Sequence, residues 1–190
     1  MEQMIAITMV ALGYVIGAIP VGLLIVKRMT GKDIRMVGSG RSGATNVIRA
    51  AGIGAGLTTA LLDLIKGALP IWLVKLVLPE WYWAHMLTGV AAVLGHNFSI
   101  FLREIVTDSQ TGRTKTVLRG GAGGVTTVGG AIGLWTWTGA ILVPTGAAIL
   151  FGIGYASLAT MSGGIMTTVI MAVRTSQDLA PAAYVYYGLS

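Results

Sequence analysis

Residues 125–173 read VTTVGGAIGLWTWTGAILVPTGAAILFGIGYASLATMSGGIMTTVIMAV, 49 positions without a single charged side chain. A membrane-spanning helix needs roughly 20 mostly apolar residues, because it must cross a hydrocarbon layer about 30 Å thick. The stretch is too long for one such helix and suits two, with a turn expected near residues 139–144. No water is available inside a bilayer to satisfy backbone amides, so helices that bond internally are expected here.

Reading outward, the same pattern recurs. Residues 4–26 are long and apolar enough for a span and end at Lys27 and Arg28. Residues 52–78 form another apolar stretch, interrupted by Asp63, Lys66, Pro70 and Lys75, which leaves room for two half-helices. Pro79 and Glu80, followed by Trp81, Tyr82 and Trp83, read as a short turn with an interfacial aromatic belt. Residues 84–102 return across the membrane. After Val173 comes a polar point, residues 174–178, and then an apolar segment, 179–190, too short to cross. The expected fold is all-α: a polytopic transmembrane helical bundle with five full spans and an incomplete C-terminal one. It is expected to form a single membrane-embedded domain over residues 1–190.

Composition agrees. Of 190 residues, 54% are hydrophobic and only 11% charged, against about 25% charged in soluble domains. The 28 glycines suit helices that approach closely. Cysteine is absent, which excludes thiolate metal sites and disulfides, and two histidines eleven positions apart make a poor metal site. The net charge of +6 would suggest nucleic acid in a soluble chain. Here the cations flank apolar segments, which indicates membrane topology or a phosphate ligand instead. Neither a metal nor a nucleic-acid partner is expected.

Residues 27–50 hold Lys27, Arg28, Lys32, Arg35, Arg41 and Arg49 against one acid, Asp33. Residues 103–124 carry Arg103, Arg113, Lys115 and Arg119 against Glu104 and Asp108. The positive-inside rule puts both segments in the cytoplasm and Glu2 outside, and the two-span count for 125–173 puts Arg174 on the cytoplasmic side as well. No basic run precedes the first apolar stretch, so that stretch is expected to be retained rather than cleaved as a signal peptide.

Several residues in these polar segments have the chemistry of an anion site. Gly38, Gly40 and Gly43 are interleaved with Ser39, Ser42 and Thr45, and Asn46 and Arg49 follow. Glycines let successive backbone N–H groups turn toward one point, hydroxyls donate, and arginine grips phosphate bidentately. A flexible loop with topology-setting arginines is the plainer alternative. Gly120, Gly121, Gly123 and Gly124 lead into an apolar helix, and a helix N-terminus favours anions; a hinge is the alternative there. Asp63 and Lys66, one helical turn apart at membrane depth, are either an ion pair holding helices together or part of a substrate cavity. His96, beside Asn97 at the end of a span, could act as base, bind phosphate or simply sit at the interface. His85, near the aromatic belt, is expected to be structural. Ser157 is a hydroxyl in an apolar helix that could equally bond its own backbone.

The run Gly38-Ser39-Gly40 through Gly43-Ala44-Thr45-Asn46 to Arg49 resembles the signature of the bacterial acyl-phosphate:glycerol-3-phosphate acyltransferases, the PlsY family. Asp63 to Gly67, Gly95-His96-Asn97-Phe98, Gly120 to Thr126 and Tyr155 to Ala159 are similar to the motifs that follow, in order. The resemblance implies a helical membrane enzyme without a cofactor. It would transfer a fatty acyl group from acyl-phosphate to the sn-1 hydroxyl of glycerol 3-phosphate, releasing lysophosphatidate and phosphate, in a bacterial inner membrane with its site facing the cytoplasm. By resemblance, Ser39, Gly40, Gly43, Thr45, Asn46, Arg49, Asp63, Lys66, Gly120, Gly121, Gly123 and Ser157 would bind or position substrate. His96 and Asn97 would lie beside the reacting groups, with membrane lipid as neighbour.

The sequence also departs from the family pattern. Ala122 stands where the family has lysine, Ser99 where it has proline, and Arg41 where it has asparagine. The segment between Phe101 and Gly120 is longer and more polar than in typical members. The family's basic C-terminal tail is expected to be missing, because the chain stops at Ser190. An inactive relative that binds phosphorylated ligand or lipid, and a small transporter, are the competing expectations.

Overall fold

The computed structural model describes residues 1–107 and 112–189; Asp108, counted above among the acids, and Ser190 lie outside them. The helices are α1 (Glu2–Ala18), α2 (Val21–Thr30), α3 (Ala44–Ala51), α4 (Ile53–Val77), α5 (Tyr82–Asn97), α6 (Gly124–Leu134), α7 (Thr138–Gly152) and α8 (Ala156–Ser176). Short 3-10 turns occupy Ile34–Met36, Ile100–Leu102 and Ala182–Leu189. Among the described residues, three helical stretches are long and apolar enough to cross a membrane: Glu2–Thr30, Tyr82–Leu102 and Ala156–Ser176.

The helices are knit by glycines where backbones nearly touch. On α1, a side chain at Gly13 would meet the Thr88 carbonyl of α5 at 2.6 Å, and one at Gly17 would run into Ala92. Gly67 of α4 lies against Thr126 of α6, and Gly129 of α6 against Leu64 of α4. In lipid there is little hydrophobic drive between helices, so such close contact supplies the attraction.

The first span is broken at Pro20, which lacks an N–H and leaves carbonyls without helical partners. Ser99 Oγ donates to Ala18 O at 2.5 Å, and Lys66 Nζ donates to Ile19 O at 3.0 Å. The residue that departs from the family's proline thus closes this break with its hydroxyl, and its N–H bonds Arg119 O at 3.1 Å. By contrast, the stretch with room for two half-helices is one continuous helix: α4 runs 25 residues through Asp63, Lys66 and Pro70. Asp63 and Lys66 pair with each other on a buried face, so neither breaks it.

Three further expectations are corrected. The all-α assignment omits an antiparallel hairpin, β1 (Arg103–Thr107) with β2 (Thr114–Leu118), in the register Arg103↔Leu118 to Thr107↔Thr114. Ile105, Val106, Thr107, Thr114, Thr116 and Val117 are β-branched and favour strands. The uncharged stretch holds three helices, not two. It breaks at 135–137 and 153–155, and α7 passes through the turn expected at 139–144 with Pro144 inside it. The 20-residue rule assumes lipid throughout, but α6 is only about 16 Å long at ~1.5 Å per residue. Its last turn is tied to the end of α4, where Lys75 Nζ donates to the carbonyls of Gly133 and Leu134 at 2.8 and 2.7 Å. The extra helix reverses the end reached by α8. Arg174 therefore stacks on Trp135, 3.8 Å from the ring centre, at the end opposite the basic segments rather than beside them.

The C-terminal turn folds back into the core, where Ala183, Tyr184 and Tyr187 are buried among Ile71, Met86, Leu134 and Met171. His85 is structural, as expected. Its Nε2 donates to Leu78 O at 2.7 Å, so its Nδ1 accepts from the Tyr184 hydroxyl at 2.8 Å.

Candidate active site

The Gly38–Gly43 loop owes its shape to Asn46. This buried side chain donates to Val37 O and Arg41 O, each at 2.9 Å, and accepts from Ser39 N–H at 3.2 Å. Gly38 (φ 51°) and Gly40 (φ 67°) take left-handed conformations that side chains rarely adopt. Asn46 is therefore committed to the loop, while Ser39, Thr45 and Arg49 stay exposed around it. Arg49 runs past Gly38, its Cδ 3.6 Å from where a Gly38 Cβ would be.

This loop meets the second glycine turn. Ser42 N–H donates to Gly120 O at 3.4 Å, and Gly121 N–H donates to His96 O at 3.0 Å. The turn lies directly on the end of α5. A side chain on Gly120 would collide with the His96 carbonyl, one on Gly121 with the His96 ring at Nε2, and one on Gly123 with Asn97 Oδ1 at 2.7 Å. Gly123 has φ 81° and caps the start of α6. The N-terminus of α8 reaches the same place, since Gly124 abuts Thr160, one turn after Ser157.

Below the turn lies a buried charge cluster. Asp63 Oδ1 is 2.9 Å from Lys66 Nζ and 3.7 Å from His96 Nδ1, and all three side chains are at most 7% exposed. At 3.7 Å the imidazole makes no hydrogen bond to Asp63, and its Nδ1 has no partner among the described residues. Asp63 and Lys66 thus tie α4 to the α1 break and lie under His96.

The polar rim holds a network that motif reading missed. Glu104 of β1 accepts from Arg35 Nη1 at 3.2 Å and from Arg119 Nε at 2.5 Å, linking the flanks of both glycine turns. Arg35 also grips Asp33 through Nε at 3.0 Å and Nη2 at 2.5 Å, and these bonds hold the Asp33 carboxyl down to about 2. Thr160 was missed too; its only sequence signal is its place one turn beyond Ser157. Ala122 is exposed at the second turn and brings no charge. An apolar groove of about 720 Å³ lies elsewhere, between α2 and the α3–α4 corner, with Arg28 at its rim.

The fold and much of the sequence are shared with known proteins. The glycerol-3-phosphate acyltransferase family profile matches residues 7–189. A glycerol-3-phosphate acyltransferase of Thermus thermophilus is 38% identical over 87% of this chain and 75% of its own length. One of Myxococcus xanthus is 37% identical over 96% and 84%. The crystal structure of PlsY, an integral membrane glycerol 3-phosphate acyltransferase, in its glycerol 3-phosphate form superposes with a TM-score of 0.79 at 28% identity. The match covers 97% of this chain and 82% of that one. Its lysophosphatidic acid form gives 0.77 at 26% identity, with the same coverage. The class is thus an integral membrane acyltransferase of phospholipid synthesis. Within it, the chain belongs to the glycerol-3-phosphate acyltransferase family, that of PlsY.

Proposed function

We propose that this chain transfers a fatty acyl group from acyl-phosphate to the sn-1 hydroxyl of glycerol 3-phosphate at the cytoplasmic face of a bacterial inner membrane. The observation that carries this reading is the Ser42–Gly120 backbone bond, which joins two glycine turns far apart in sequence into one polar surface. Solved relatives with glycerol 3-phosphate and with lysophosphatidic acid correspond to the acceptor and the product. Lys27, Arg28, Lys32, Arg41 and Arg49 cluster on the segment that supplies this surface, which favours the cytoplasmic side.

In this reading Ser39, Gly40, Gly43, Thr45 and Arg49 bind phosphate on one side, while Gly120, Gly121, Gly123 and Ser157 line the other. Acyl-phosphate is a mixed anhydride, already activated, so placement and charge neutralisation supply the catalysis. The sn-1 oxygen attacks the acyl carbon, the bond from that carbon to the phosphate oxygen breaks, and the departing phosphate takes the hydroxyl proton. His96, buried beneath Gly121, and Asn97, against Gly123, act by fixing the turn. Asn46 acts by shaping the loop, and Asp63 and Lys66 by tying α4 to the α1 break.

The test is formation of lysophosphatidate and phosphate by purified protein given acyl-phosphate and glycerol 3-phosphate. Arg49→Ala is expected to lower kcat/KM about a hundredfold, the scale of losing a bidentate charged contact. Unchanged turnover in that variant would remove the assignment. One observation favours a second reading, an inactive ligand-binding relative: exposed Ala122 leaves its position on the turn uncharged. Glycerol 3-phosphate binding without product, with product appearing in Ala122→Lys, would select it.

A further inference from the structure

Arg35 and Arg119 both bond Glu104, yet they differ in what they have left to offer. All three nitrogens of the Arg35 guanidinium are engaged, two by Asp33 and one by Glu104. Arg119 spends only Nε, on Glu104, and its Nη1 and Nη2 have no partner among the described residues. Its Nη1 lies 3.9 Å from where a Gly40 Cβ would stand, over the left-handed turn of the first loop. The Arg119 backbone is pinned: its N–H bonds Leu102 O at 3.3 Å and its carbonyl accepts from Ser99 at 3.1 Å. With the backbone fixed, the carboxylate of Glu104 sets the direction of the side chain. Ala122 adds no cation to the same turn, and Arg119 is the basic residue that directly precedes Gly120 in the chain.

We infer that Arg119 presents its two free nitrogens to a substrate phosphate held at the Gly40 turn, and that Glu104 is the positioning residue that aims it. This rests on the reading of the two turns as a phosphate site. A fork of parallel N–H donors suits the oxygens of a phosphate dianion, and a guanidinium already oriented loses less freedom on binding it. A purely structural role for Glu104 predicts otherwise, since partly exposed pairs add little to stability and nothing to ligand affinity.

The experiment combines steady-state kinetics, each substrate varied separately, with calorimetric binding of glycerol 3-phosphate. The proteins are the wild type, Arg119→Ala, Glu104→Gln, Glu104→Asp and the double variant Glu104→Gln/Arg119→Ala. Arg119→Ala is expected to raise KM for one phosphate substrate about tenfold or more, with kcat much less affected. Glu104→Gln should raise the same KM about three- to tenfold, Glu104→Asp should restore part of it, and the double variant should match Arg119→Ala alone. Which KM moves identifies the phosphate. Unchanged KM values in Glu104→Gln, or effects of the two substitutions that multiply, overturn the inference. If the wild type makes no lysophosphatidate, the acyltransferase reading fails and binding decides. Weaker glycerol 3-phosphate binding by both single variants then keeps the inference, and equal binding ends it.

Discussion

The molecule builds the same three-part unit twice: an acid between two nitrogen bases. Asp63 lies between Lys66 and His96, and Glu104 between Arg35 and Arg119. The first is buried within the helices, whereas Glu104 is 25% exposed and Arg119 45%. Burial decides what each unit can do. Removing one partner of a buried pair strands a charge at a cost of several kcal/mol, whereas exposed pairs contribute about 0–1 kcal/mol. The inner unit therefore belongs to the fold and the outer one is free to serve a ligand.

Lys66→Met offers the largest test of that contrast. It strands Asp63 and also releases Ile19 O at the Pro20 break. A loss of about 3–5 kcal/mol is expected in thermal or chemical unfolding of the micelle-solubilised protein. Adding Asp63→Leu should recover part of it by removing the stranded charge. Melting indistinguishable from wild type would mean that the inner unit is not a fold element.

Gly121→Ala comes next, because it connects the inner unit to the glycine turn. The new methyl would strike the His96 ring, which is buried over Asp63 and has little room to move. A cost of about 1–3 kcal/mol is expected, with a larger fall in turnover than in stability. Gly146→Ala in α7 is the control. Nothing lies within 4 Å of that position, so it should be neutral or stabilise by up to about 1 kcal/mol. Equal losses in the two variants would sever the link between turn and histidine.

The parts of the architecture legible in the sequence were those that lipid enforces. Long apolar runs, the aromatic turn at Trp81 and the glycine–hydroxyl runs within polar segments all stand out against an apolar background. What escaped depends on protein packing against protein. Helix α6 ends at Leu134 with its last carbonyls on Lys75 of α4, and nothing within residues 125–173 shows this. Residues 4–26 read as one span although Pro20 breaks it, and the groups that close the break, Ser99 and Lys66, come from distant segments. The β-branched residues of the hairpin were visible, yet their strand character was masked by the helical surroundings. Among the candidate site residues, the two glycine turns stand out by their chemistry, and the structure brings them into contact. That Asn46 is spent on its own loop became clear only once its carbonyl partners were placed.

The smallest expected effect concerns the outermost acid, and it sharpens the comparison through pH and salt. Asp33 is held at about 2 against an ordinary 3.8, chiefly by its hydrogen bonds to Arg35. A carboxyl whose folded value is depressed contributes stability that is complete above the unfolded value and fades as pH falls toward the folded one. Asp33→Asn should therefore lower the melting temperature by a small, constant amount at pH 5–9. The two proteins should converge only as the pH drops from about 4 to about 2. In 1 M salt, where charges are screened beyond ~3 Å, that difference should shrink, while the Lys66→Met penalty, shielded inside the bundle, should persist. A gap between wild type and Asp33→Asn that changes between pH 6 and 8 would place a different titrating group in the outer unit. A Lys66→Met penalty that disappears in salt would make the two units alike.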